Sequence, residues 1–106
     1  MRERITNFEI MVMLAVMRLG DDAYGVSIAR EVAHRQDGRD VSVASVYAAL
    51  ERLEAKGWVR KTLGEATPVR GGKAKAYFCA TADGLREVRE HRRTLIRFWN
   101  SIPLLK

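Results

Sequence analysis

The residues best suited to chemistry in this chain are cations, and they cluster. Arg52, Lys56, Arg60, Lys61, Arg70, Lys73 and Lys75 fall between residues 52 and 75, against only Glu54 and Glu65. Residues 1–51 carry six basic and eight acidic side chains, and residues 82–106 carry six and three. The excess behind the formal net charge of +6 is therefore concentrated in mid-chain. Such a block is the electrostatic footprint of a nucleic-acid contact. The bland alternative is a solvated surface with no partner. Within the block, the run Arg70-Gly71-Gly72-Lys73-Ala74-Lys75 joins two residues without a Cβ to two alternating ammonium groups. The glycines permit close backbone approach, and the lysines can face a sugar-phosphate wall or an adjacent minor groove.

Other chemistries are not supported. His34 and His91 lie far apart, with no Cys or carboxylate at metal-ligand spacing. No Ser-His-Asp, Cys-His or paired-carboxylate arrangement is recognisable, so neither an enzyme, a metal site nor a cofactor is expected. The basic glycine loop lacks the G-x-x-x-x-G-K-[ST] pattern of a phosphate cradle. Asp21, Asp22, Asp37 and Asp40 read as turn residues. The single cysteine, Cys79, is expected as a packed thiol in a strand, with a redox-sensing thiol as the alternative. No signal peptide is evident and no apolar run approaches the ~20 residues of a membrane span, so a reduced cytoplasmic protein is expected. At 106 residues, 47% hydrophobic and 30% charged, the chain is one globular domain, too small for a two-domain cleft.

The elements that must position the cations can be read from caps and periodicity. Thr6 and Glu9 form a capping box for a helix over about Asn7 to Leu19. A second helix runs roughly from Tyr24 to Arg35, with Val26, Ile28, Ala29, Val32 and Ala33 apolar. Ser42 caps a third, about Val43 to Lys56, whose Val43, Val46, Leu50 and Leu53 form one inward stripe. Gly57 stops it. The period then falls to two: Trp58–Leu63 and Tyr77–Ala80 read as strands of a hairpin whose long tip is the basic glycine loop. Thr81 caps a last helix, about Ala82 to Ser101, which ends before Pro103.

Three helices and then a hairpin is the winged helix-turn-helix order, an α+β fold in which the third helix enters the major groove. The side of that helix opposite its stripe presents Ala44, Ser45, Ala48, Glu51, Arg52 and Ala55, with Tyr47 at the edge. Small residues near the N-terminus let the helix approach base edges, and Ser45 can hydrogen-bond there. Arg52 and Lys56 lie where phosphate is met. The alternative is that the alanines reflect helix propensity alone. Tyr24 and Tyr47 are expected half-buried, with their hydroxyls free for phosphate or simply packed.

Two helices also call for a partner. The first is apolar around most of its circumference, which a small domain cannot enclose. In the last, Leu85, Val88, Arg92, Leu95, Trp99 and Ile102 are spaced 3, 4, 3, 4, 3, the rhythm of a coiled-coil seam. We therefore expect residues 1–81 as the winged domain and 82–106 as a dimerisation helix. Phe8 and Met11 of the first helix complete the interface between two copies. Phe98 and Trp99, beside Met11 or Phe8 of the partner subunit, border a space for a flat aromatic ligand, plain packing being the alternative.

Four ordered blocks carry a resemblance. They are Leu19-Gly-Asp-Asp-Ala-Tyr-Gly-Val-Ser-Ile28, Val46-Tyr-Ala-Ala-Leu-Glu-Arg-Leu-Glu-Ala-Lys-Gly57, Gly71-Gly-Lys-Ala-Lys-Ala-Tyr77 and Thr81-Ala-Asp-Gly84. Over about residues 5–90 the chain resembles the PadR family, bacterial transcriptional regulators named for a phenolic-acid decarboxylase repressor. The resemblance implies a homodimer whose C-terminal helices pack on the partner's first helix. It also implies repression at a near-palindromic operator in double-stranded DNA, often relieved by a small-molecule effector. It places Tyr47, Arg52, Gly71, Gly72, Lys73 and Lys75 in DNA-contacting elements. A winged-helix protein-interaction module and a ligand sensor working at the dimer seam remain the rival readings.

Overall fold

The computed structural model describes residues 4–64 and 75–105. Helix α1 spans Asn7–Leu19, α2 Gly25–Arg35 and α3 Val43–Ala55; strands β1 (Val59–Leu63) and β2 (Ala76–Ala80) follow, then α4 (Ala82–Ser101). Short 3₁₀ turns at Gly20–Asp22 and Pro103–Leu105 close α1 and the C-terminus. Each long helix begins where a side chain satisfies an N–H that has no intrahelical partner. At α1 the cap is reciprocal: Thr6 Oγ1 accepts from the Glu9 N–H at 3.1 Å, and Glu9 Oε1 accepts from the Thr6 N–H at 2.9 Å. Ser42 Oγ accepts from the Ser45 N–H at 3.1 Å to start α3.

Helix α3 ends in paired return bonds. The Gly57 N–H donates to the Glu54 carbonyl at 3.0 Å and the Trp58 N–H to the Leu53 carbonyl at 2.9 Å. Gly57 takes φ +78° to make this turn, a conformation that disfavours a Cβ. The chain thus leaves the helix pointed into β1. β1 and β2 pair antiparallel with Val59 opposite Ala80, Lys61 opposite Phe78 and Leu63 opposite Ala76. Val59 and Phe78 on that face are buried in the core.

The core is built from one face of each of α1, α2 and α3. Val12, Met13 and Val16 meet Ile28, Ala29, Val32, Val46, Leu50 and Leu53, and Trp58, Val59 and Phe78 close the hairpin side. Truncating either fully buried leucine to alanine costs about 2–5 kcal/mol. A contact between the α1–α2 connection and the hairpin was not foreseen. Tyr24 bridges Tyr77, and the Phe78 N–H donates to the Ala23 carbonyl at 2.9 Å. The base of the hairpin is thereby fixed to the helical domain on both sides.

Helix α4 is pinned only at its start. Thr81 Oγ1 accepts from the Gly84 N–H at 3.0 Å and donates to the Gly57 carbonyl at 2.6 Å, while the Thr81 N–H reaches the Trp58 carbonyl at 3.0 Å. Gly84 lies directly on that carbonyl, so a Cβ there would collide with it and with Met13 Cε. Within α4 only Gly84 and Val88 are buried, and from Arg92 onward every residue through Leu105 is exposed.

Two expectations change here. Val88 was expected at the dimer seam, but it joins the protomer's own core, because the first turns of α4 lie across α1 and β2. Cys79 was expected to be packed, but it is exposed. Its register opposite Arg60 puts it on the hairpin face away from the core.

Candidate nucleic-acid interface

The stripe that buries Val46, Ala49, Leu50 and Leu53 leaves the rest of α3 open. Ala44, Ser45, Tyr47, Ala48, Glu51, Arg52 and Ala55 are all exposed, so the structure brings the expected α3 residues onto one uncovered surface. The Ser45 hydroxyl donates to the Ser42 carbonyl at 2.9 Å and lies 2.8 Å from the Ser42 hydroxyl. Its proton is thus engaged in the cap and its oxygen already accepts from the Ser42 hydroxyl, which leaves one lone pair to offer. Tyr47 lies over the first turn of α2. A Cβ on Gly25 would stand 2.5 Å from the Tyr47 hydroxyl oxygen, so the glycine is what admits the ring. Tyr47 is 42% exposed, consistent with the half-buried expectation.

Arg52, exposed on this surface, and the part-buried Lys56 one turn on share an acid that also caps α1. Arg52 Nε donates to Glu9 Oε2 at 2.7 Å, and Lys56 Nζ lies 3.4 Å from Glu9 Oε1. Glu9 itself has no solvent exposure. Burial alone would push its carboxyl up. The Thr6 N–H, the Arg52 guanidinium and the Lys56 ammonium outweigh that and hold it below the ordinary carboxylate range. Lys56 also sits 5.0 Å over the Trp58 ring, with little of its side chain open, so its charge is largely committed within the protomer. Half of the Arg52 side chain stays open to solvent. The signal for this cluster was present: Glu9 falls on the 9, 12, 13, 16 stripe that α1 buries.

At the hairpin, Lys75 is exposed, with Nζ 4.4 Å over the Tyr24 ring. Tyr24 in turn meets Tyr77 edge-on, with ring centroids 5.8 Å apart. Lys75 therefore stands on an aromatic pair rather than on an isolated loop, a link that sequence reasoning missed. Arg70, Gly71, Gly72 and Lys73 lie outside the described residues.

The expected partner face is equally open. On α4 and just past its end, Leu85, Arg92, Leu95, Trp99 and Ile102 are exposed, as are Ile96, Phe98 and Leu105. Trp99 Nε1 donates to the Leu105 carbonyl at 2.9 Å, which folds the last turn back on the helix. Phe98 borders a shallow groove with Thr94, Arg97 and Ser101. On α1, Phe8 and Met11 are part-buried against the core. Met11 also lines a groove of about 240 Å³ between α1 and α2, with Leu14, Ala15 and Val32 as its floor and Arg18, Glu31 and Arg35 at its rim. Glu31 bridges that rim, 2.8 Å from Arg35 Nε and 3.4 Å from Arg18 Nε. Among the described residues no helix is long and apolar enough to cross a membrane, and no cluster of His, Cys, Asp and Glu is placed to hold a metal.

Three helices, a hairpin tied to both the α1–α2 connection and α3, and an uncovered third helix define a winged helix-turn-helix protein. The sequence pattern of the transcriptional regulator PadR-like family matches residues 13–90, and the chain belongs to that family. Its proteins are transcriptional regulators, not enzymes, and that activity implies binding to DNA. A PadR family transcriptional regulator from Eggerthella lenta is 25% identical, with a TM-score of 0.67 over 90% of this chain and 80% of that one. A PadR-like transcriptional regulator from Bacillus cereus is 19% identical, with a TM-score of 0.71 over 92% and 89%. A transcriptional regulator from Clostridium thermocellum shares the fold at 18% identity, with a TM-score of 0.71 over 88% and 86%. No curated protein matches the chain in sequence.

Proposed function

We propose that the chain is a sequence-specific repressor acting as a homodimer on a near-palindromic operator, and that a flat aromatic ligand releases it. Residues 1–81 form the DNA-binding unit and residues 82–106 the dimerisation helix. The observation that carries this reading is the exposed face of α3, small at its N-terminal end and carrying the half-open Arg52 guanidinium further on, beside Glu51. Ala44, Ser45, Ala48 and Tyr47 approach base edges. Arg52 contacts phosphate, with Lys56 adding charge behind it, and Arg70, Lys73 and Lys75 of the wing take phosphate beside the major groove.

A two-fold dimer sets two α3 helices about 34 Å apart, matching half-sites about 10 bp apart. Dimerisation covers Leu85, Leu95, Trp99 and Ile102, with Arg92 as the polar position, against Phe8 and Met11 of the partner subunit. Phe98 and Trp99 border the effector space at that seam. Large apolar side chains this exposed are rarely left without a partner.

The test is fluorescence anisotropy of labelled DNA from upstream of this protein's gene, beside a scrambled duplex, at several salt concentrations. The repressor reading expects preference for the upstream duplex with a steep salt slope. Equal, salt-sensitive binding to both duplexes would reduce the reading to basic-patch adhesion. Absence of binding even at low salt would favour the protein-interaction module.

A further inference from the structure

Among the described residues Glu9 is the one buried charged residue, and capping alone does not account for its charge. A glutamine at this position of a capping box accepts the same Thr6 N–H. What needs a carboxylate is the second oxygen, Oε2, which takes Arg52 Nε at 2.7 Å. Glu9 is on α1 and Arg52 is 43 residues further along, on the exposed face of α3. A guanidinium is a rigid plane with donors on two edges. Held through Nε by a buried acid, it still has the donors of its two Nη groups to offer. Half of the Arg52 side chain is indeed solvent-open, while Glu9 is 1% open.

We propose that Glu9 is a positioning residue for DNA binding: it grips Arg52 by Nε so that the Nη edge projects from α3, ready for a backbone phosphate. The proposal rests on the reading of α3 as the DNA-facing helix. It adds that a residue that never reaches DNA sets the strength of one contact. An ordering cost otherwise met on binding is met during folding, since the side chain is already fixed.

The sign of the effect makes the idea testable. Removing a negative charge beside a DNA-facing surface ordinarily tightens binding. Loss of a positioning carboxylate loosens it instead. Glu9→Gln, Arg52→Ala, Arg52→Lys and the Glu9→Gln/Arg52→Ala double variant are titrated by anisotropy against the upstream and scrambled duplexes at several salt concentrations. Thermal melts followed by circular dichroism confirm folding of each.

A phosphate contact is blind to sequence, so both duplexes should report it. Glu9→Gln and Arg52→Ala should each weaken binding about tenfold and flatten the salt slope by about 1.8, the value of one phosphate for each of the two protomers. The double variant should bind no worse than Arg52→Ala. Arg52→Lys should also fall, because an ammonium cannot hold the carboxylate and a phosphate in one geometry. This variant keeps the test open if Glu9→Gln fails to fold. Unchanged or tighter binding by Glu9→Gln, multiplying losses in the double variant, or Arg52→Lys binding like wild type would each overturn the proposal. No binding by the wild-type chain would overturn the DNA reading itself, and this proposal with it.

Discussion

Two surfaces of this small protein lie open, and they could hardly be less alike. The face of α3 offers Ala44, Ser45, Ala48 and Arg52, short side chains and one held cation. The distal half of α4 and its C-cap offer Leu95, Ile96, Phe98, Trp99 and Ile102. An exposed alanine costs nothing in water and a guanidinium gains from it, so the first surface is content when solvated. The second removes little from water until something covers it, at about 25 cal/mol per Å² of apolar area. On the proposed function the contrast assigns each surface its own kind of partner: a polyanion that must come close in one case, another apolar surface in the other.

The largest expected effect breaks the second surface. Replacing Leu95 and Ile102 together with glutamate should leave a monomer by light scattering. It should also weaken operator binding at least about 100-fold, since two half-sites are no longer engaged at once. The next change acts between the two surfaces. Gly84→Ala places a Cβ on the Trp58 carbonyl, which is backbone and cannot step aside. Thermal unfolding should show a loss of about 2–3 kcal/mol, whereas Thr81→Ala at the same junction should lose only about 1 kcal/mol.

The first surface is sharpened by Ala48→Leu. Affinity for the upstream duplex should fall about tenfold while affinity for random DNA barely moves, because only the close approach to bases is blocked. The smallest effect is on acid stability. The Glu9 carboxyl is held below its ordinary range in the folded chain, so it adds stability above the unfolded pKa of about 4.5. That contribution disappears as the pH falls through the folded value. Acid titration followed by circular dichroism should therefore show a shallower loss in Glu9→Gln than in wild type.

What could be read from sequence is what local chemistry encodes. Thr6, Ser42 and Thr81 announce the starts of α1, α3 and α4, because each caps an N–H three residues away. The open face of α3 follows from its inward stripe in the same way. Pairings across the chain were not legible. Glu9 serves Thr6 through one oxygen and Arg52 through the other, and only the first partner is near in sequence. The Tyr24–Tyr77 bridge and the Lys75 ammonium above it likewise join distant segments. Val88 fits the seam rhythm perfectly well by spacing. Its burial depends on where α4 comes to rest, which Gly84 and Thr81 decide.

The most direct test of the account is sedimentation velocity of the protein with a labelled duplex from upstream of its gene, followed at the label's wavelength. Two surfaces with two different partners predict one discrete complex holding two chains per duplex. They also predict that the Leu95 and Ile102 glutamate variant fails to form it at the same concentration. A complex with one chain per duplex, or one that the variant forms as readily as wild type, would contradict the account.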